Sequence, residues 1–334
     1  MNFIKIIFFL LFVNKNTTAL RLPINFTHTH RSSLRMINDN KIINKTKSYL
    51  KLTRSNNILP TILLSFTGSY ITSTNNLIPK TIVTVLTMSY SMIINDIFDY
   101  GLDKVNNPDR PLVSGKVTLY EALTLMVIIL KTIDYVSYYY LPKNLQKILE
   151  IMVIIVSLYT PLLKRIPFIK NLTCASVISF AIFFSGLPST KNRPLLYITS
   201  IYIFLGSLMN ELLLDIKDYY GDKQNKIYTI PVIFGKHNTL KLCSTILRFN
   251  ILFNSIILLS FYNLFIMLPF LVINFNYYFR LNKIINNNLE KLRLYNSIGI
   301  YYEKILQNSN DIKNIVNQSN IPLFMSLIYF CYIK

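Results

Sequence analysis

The sequence predicts an all-α membrane protein, a bundle of about nine transmembrane helices in one domain. Three observations predict it. Apolar residues fill 52% of the 334 positions and charged residues only 15%, with a mean hydropathy of +0.38; a soluble chain carries about 25% charge. Apolar runs of span length recur along most of the chain. Nearly half of the acidic residues are gathered into two short clusters at the ends of such runs.

Composition also excludes other classes. With Tyr 23 and Phe 22 the chain is too aromatic for intrinsic disorder. Cys174, Cys243 and Cys331, and His28, His30 and His237, are scattered with no CxxC or HxxxH spacing, which argues against a disulfide scaffold or a zinc module. The net charge of +20 does not point to nucleic acid, because of where it lies. Much of it sits in the first 56 residues, which include Arg31, Arg35, Lys41, Lys45, Lys47, Lys51 and Arg54 against the single acid Asp39. The remainder sits in short loops, where basic residues set membrane orientation.

The chain is expected to divide into a targeting leader, 1–53, and a membrane domain, 54–334. Residues 6–13 form an apolar run too short to span, and the stretch after Arg21 is rich in Arg, Lys, Ser, Thr and Asn and nearly free of acids. A signal-like segment followed by a transit-like one is the address expected of a plastid reached through the secretory pathway, with the mitochondrial inner membrane or an endomembrane as alternatives.

Candidate spans lie near 58–74, 80–100, 118–140, 146–163, 173–189, 195–217, 239–260, 262–279 and 319–333, with a polar, Asn-rich helical loop at 280–318. No Gly- or Ser-rich linker separates them. Loops at 101–117, 160–172, 218–238 and 280–318 carry most of the remaining basic residues, so the positive-inside rule turns them toward the cytosol, stroma or matrix.

The second span ends in Asn95-Asp96-Ile97-Phe98-Asp99 and continues to Asp103. Its carboxylates are spaced i, i+3 and i+7, a fan of about 60° on one helical face at roughly 100° per residue. The sixth span repeats the spacing with Asp215, Asp218 and Asp222, and Glu211 falls inside the fan. Each ionisable group within a span costs about 2.5–3.5 kcal/mol to insert. Packed carboxylates also repel, so a divalent cation is the expected compensation. An all-oxygen set without His or Cys favours Mg²⁺, which leaves coordination positions for phosphate oxygens. Paired clusters are thus suited to a diphosphate, and the even number of crossings between them returns both to one side. Basic side chains near the motifs, Arg110, Lys164, Arg165, Lys217 and Lys223, are candidates to stabilise charge on a departing diphosphate. Solvated acids at helix ends are the bland reading of either motif; two copies with one spacing argue against it.

These residues resemble the UbiA superfamily of intramembrane prenyltransferases. NDIFDYGLDKVNNPDRPLVSGKVT (95–118) resembles its first Asp-rich motif and the N-x-P-x-R-P segment after it, and DIKDYYGDKQNKIYTIPVIFGK (215–236) resembles its second. Asn225-Lys226 stands where the family usually has a glycine. Weaker matches are Arg54 to Thr61 and the loop from Tyr159-Thr160-Pro161 to Asn171. The resemblance implies a nine-helix bundle around a central cavity open to lipid. It also implies Mg²⁺-dependent ionisation of a polyprenyl diphosphate and capture of the allylic cation by a hydrophobic or aromatic acceptor. Asp96, Asp99, Asp103, Asp215, Asp218 and Asp222 would bind the metal, Asn95, Arg110 and Lys164 the diphosphate, and Tyr159 would line the reacting end of the cavity.

For the acceptor, a plastid leader points first to an aromatic quinone or tocopherol precursor such as homogentisate. The T-x-P-V ending of the second motif resembles the branch that includes chlorophyll synthases, homogentisate prenyltransferases and glycerol-lipid prenyltransferases, so chlorophyllide and a glycerol lipid are the alternatives. A cation-binding transporter is the rival class, and it predicts acids along a continuous polar path rather than at helix ends. Asn171-Leu172-Thr173 fits a glycosylation pattern by chance, on the expected inner side.

Overall fold

The computed structural model describes residues 34–189, 191–298 and 309–334, and every regular element among them is helical. In chain order these are α1 (Leu34–Leu52), α2 (Ile58–Thr72), α3 (Leu77–Phe98), α4 (Tyr100–Asn106), α5 (Leu119–Tyr140), α6 (Lys143–Tyr159), α7 (Ile169–Gly186), α8 (Arg193–Gln224), α9 (Ile230–Phe234), α10 (Lys236–Phe261), α11 (Leu264–Ile298) and α12 (Ser309–Tyr332). Each of the expected spans falls on one of the helices α2, α3, α5, α6, α7, α8, α10, α11 and α12. Among the described residues five helices are long and apolar enough to cross a bilayer: α3, α7, α8, α10 and the Leu264–Asn287 part of α11. Asn320–Tyr332 of α12 is a shorter apolar helix.

The structure differs from expectation at both ends of the chain. Residues 280–298 are not a separate helical loop but a continuation of α11, since nothing from Leu281 to Ile298 is a proline or glycine that would end it. The first part of the expected leader, 1–33, lies outside the described residues. The stretch from Leu34 to Leu52 is the helix α1.

The described residues form two compact units, one made of those up to Ser55 together with Met88–Lys131, the other of Asn56–Thr87 together with those from Thr132 onward. In the first unit, α3 ends at Phe98 and α4 follows almost without a break, because the amide of Asp99 donates to Asn95 O at 2.9 Å and that of Asp103 to Asp99 O at 2.8 Å. The loop 107–118 then folds on itself, with Ser114 N donating to Arg110 O and Val117 N to Pro111 O. Its turn needs a left-handed residue, which Gly115 supplies at φ 69°. Thr118 and Glu121 close it with reciprocal bonds at 3.2 and 2.8 Å that cap α5.

In the second unit, α7 packs between α2 and α8, and α8 also packs on α10 and α12. The α2–α7 seam is made of small residues, as close contact between membrane helices requires. Ser65 and Ser185 hydroxyls lie 2.7 Å apart, and Ser69 donates to Ser185 O at 2.9 Å. A Cβ on Gly68 would stand 2.0 Å from Ile182 O. Lys80, at the start of the expected span 80–100, is buried. Its ammonium donates to Ser185 O at 2.9 Å and Leu187 O at 2.5 Å, a cation closing the C-terminal end of α7. Tyr202 is packed edge-on against Phe270 and Phe330, and its hydroxyl donates to Asn274 at 2.6 Å, so it belongs to the core. Tyr135, Tyr138, Tyr139 and Tyr140, all exposed at the end of α5, form an aromatic belt of the kind found at a membrane interface.

Candidate active site

In the first unit the carboxylates of the first motif share a face, as their spacing requires. Arg110 demonstrates it. Its Nη1 donates to Asp96 Oδ1 at 2.8 Å and also to Asp103 Oδ2, so one guanidinium spans residues seven apart. Both carboxylates are almost fully buried, and the guanidinium is less than a quarter exposed. Arg54 adds a second cation on Asp96 at 3.4 Å, and Asn107 Nδ2 donates to Asp103 at 3.1 Å. Burying two like charges this closely is tolerable only with such partners. Asn95 and Asp99 lie half-buried on the same stretch. Arg110 was expected to hold phosphate; in this structure it joins two of the three motif carboxylates.

In the second unit Asp215 is buried on α8, and both its oxygens are taken by α7. Lys170 Nζ donates to Oδ1 at 2.5 Å and Asn171 Nδ2 to Oδ2 at 2.8 Å. One turn further along α7, on the face of Lys170, Cys174 donates its S–H to the Tyr159 hydroxyl at 3.0 Å. Tyr159 at the end of α6 and Asp215 on α8 are therefore held by successive turns of the same helix. Asp218 is exposed on α8 and Asp222 half-buried near its end, while Lys164 is half-buried in the single-turn helix Leu163–Arg165. The turn after the second motif forms without the family's glycine: Lys226 adopts φ 55°, and its amide donates to Lys223 O at 3.3 Å.

Sequence reasoning missed the role of Lys170, counted only as loop charge, and of Cys174. Asn171 is 1% exposed and donates to Asp215, which excludes the glycosylation reading. Its signal was present, since Asn171 closes the loop segment that begins at Tyr159.

Among the described residues no three Asp, Glu, His or Cys side chains converge as a ready ligand set, because Arg110 and Lys170 engage Asp96, Asp103 and Asp215. The donor chemistry nonetheless fits magnesium. Every acidic motif residue offers hard carboxylate oxygen, Asn95 adds an amide oxygen, and no imidazole stands among them.

A helical membrane protein with duplicated Asp-rich helix ends, each tied to basic partners, defines a class of intramembrane transferase. The chain belongs to the UbiA prenyltransferase family, whose profile matches residues 58–297. It is an integral membrane prenyltransferase. Among curated relatives, it is 29% identical over 207 residues to the digeranylgeranylglyceryl phosphate synthase of Sulfolobus acidocaldarius, covering 60% of this chain and 74% of that one. It is 25% identical over 288 residues to the protein of the same name from Methanococcus maripaludis, covering 84% and 97%. Among solved structures, one described as digeranylgeranylglyceryl phosphate synthase in membranes aligns with TM-score 0.63 at 22% identity over 86% of this chain and 98% of its own. A UbiA homologue of Archaeoglobus fulgidus, solved with DMAPP and Mg²⁺, aligns with TM-score 0.57 at 19% identity over 84% and 99%. These alignments establish the fold.

Proposed function

We propose that this enzyme transfers a polyprenyl group from its diphosphate to a hydroxyl of a glyceryl phosphate lipid, forming an ether. The observation that carries the acceptor is the similarity to digeranylgeranylglyceryl phosphate synthases over as much as 84% of the chain. That similarity favours the glycerol-lipid alternative over the aromatic quinone or tocopherol precursor expected first.

In this reading Asp96, Asp99, Asp103, Asp215, Asp218 and Asp222 hold Mg²⁺, as the A. fulgidus homologue solved with DMAPP and Mg²⁺ supports. Bound magnesium neutralises the diphosphate and makes it a better leaving group. Asn95, Arg110 and Lys164 hold phosphate oxygens and stabilise the charge that grows on them as the allylic C–O bond breaks. Tyr159, fixed by Cys174, lines the reacting end and presents its ring to the allylic cation. The acceptor oxygen then bonds to the allylic carbon and its proton passes to the released diphosphate. Lys170 and Asn171 are positioning residues that orient Asp215. The basic, acid-poor leader supports a plastid membrane as the site of action.

The test is incubation of purified enzyme with geranylgeranyl diphosphate, Mg²⁺ and, in parallel, geranylgeranylglyceryl phosphate or homogentisate, with products identified by mass spectrometry. Ether product from the glyceryl phosphate alone is the expected result. Prenylated homogentisate alone would return the aromatic reading, and no product with either would remove both acceptors.

A further inference from the structure

The basic stretch that composition assigns to a leader makes specific contacts with the loop that carries Arg110. Helix α1 belongs to the first unit. Ser48 and Leu52, one turn apart, are buried, which gives the helix an inward face. Two lysines near that face reach the loop at separate points. Lys51 Nζ donates to Asp109 O at 2.9 Å, next to Arg110. Lys45 Nζ donates to Lys116 O at 3.0 Å and to Glu121 Oε2 at 2.7 Å, at the loop's far end. Just past the helix, Arg54 reaches Asp96. Lys45 and Lys51 lie six positions apart, about 9 Å along the helix, and the segment between their two anchor points contains Arg110 and the turn at Gly115.

We propose that α1 is a retained strap of the working enzyme, with Lys45 and Lys51 as positioning residues that hold the loop 107–118 closed and so aim Arg110. Any leader removed from this chain ends before Lys45, not at residue 53. The loop needs such a strap because a segment with few buried side chains opens readily. Of its side chains, Pro111, Leu112 and Val117 are buried. A single exposed ion pair contributes little; here two lysines make two contacts with the backbone of one short loop and a third with Glu121 at the start of α5. The consequence for catalysis rests on the proposed role of Arg110 in diphosphate binding, but the strap itself does not.

Two measurements test it. Mass spectrometry of the N-terminal peptide of the mature protein, isolated from its own membranes, is expected to place the start at or before Lys45. A start beyond Lys45 overturns the proposal. In the full chain, a Lys45→Met/Lys51→Met double variant is expected to speed amide exchange across residues 107–118 about tenfold. It should raise KM for the prenyl diphosphate about tenfold with kcat nearly unchanged, and Lys45→Arg/Lys51→Arg should restore both. Unchanged exchange overturns the strap. Faster exchange with unchanged KM upholds the strap and instead removes Arg110 from the diphosphate site.

Discussion

Lys170, half-buried, and Asp215, buried, form an ion pair at 2.5 Å that joins α7 to the second acidic motif on α8, with Asn171 completing the carboxylate's hydrogen bonds at 2.8 Å. Removing one member of such a pair leaves an uncompensated charge, at a cost of about 3–5 kcal/mol. Lys170→Met is therefore expected to lower thermal stability and activity together. Lys170→Met combined with Asp215→Asn should recover most of the stability but not the turnover. Melting in detergent and product formation check the two separately, and an inactive but fully stable single variant would refute the structural half.

Arg110 bridges Asp96 and Asp103 with one guanidinium. Both bonds leave the same nitrogen, Nη1; a lysine ammonium carries the charge but reaches less far and lacks the remaining guanidinium N–H groups that would face a diphosphate. Arg110→Lys is expected to reduce kcat/KM about 10- to 100-fold, mostly through KM for the diphosphate. Steady-state kinetics at saturating Mg²⁺ provide the check, and near wild-type kinetics would argue that the bridge is incidental.

Each motif is proposed to contribute to binding of the Mg²⁺-bound diphosphate. Asp99→Ala and Asp218→Ala should each abolish turnover while leaving the protein folded, since Asp99 is half-buried and Asp218 exposed. Chelation with EDTA should do the same to the unaltered enzyme, with activity restored by Mg²⁺, as hard oxygen donors require. Full activity in either Ala variant would sever that motif from the reaction.

Gly68 faces the backbone of Ile182, and an added Cβ would stand 2.0 Å from its carbonyl oxygen. Because backbone cannot move aside as a side chain tip can, Gly68→Ala is expected to destabilise the α2–α7 seam by about 1–3 kcal/mol. Melting temperature in detergent reads this directly. An unchanged value would mean that the two helices separate without penalty.

Much of the fold was legible in the sequence, because long apolar runs in a membrane protein leave few alternatives to helix. Where reading failed, context was the reason. Lys80 lies at the edge of an apolar run and looks like loop charge; only the arrival of the end of α7, more than a hundred residues later, gives its ammonium two carbonyls. Residues 34–52 have the composition of a transit segment, and composition is blind to the contacts that Lys45 and Lys51 make with residues 58 or more positions away. Where the family usually has a glycine, the turn forms with Lys226 held at φ 55°, a conformation that residue type alone does not predict.

The sequence by itself determined that the chain spans a membrane as helices, and that Asp96, Asp99 and Asp103, like Asp215, Asp218 and Asp222, have the spacing to share a helical face, because periodicity is a local property of the backbone. Only the tertiary structure decided which cation each buried carboxylate meets: Arg110 for Asp96 and Asp103, Lys170 for Asp215. The first partnership depends on how a twelve-residue loop turns back, and the second joins residues 45 apart on different helices. Such pairings arise from packing, which no local spacing records.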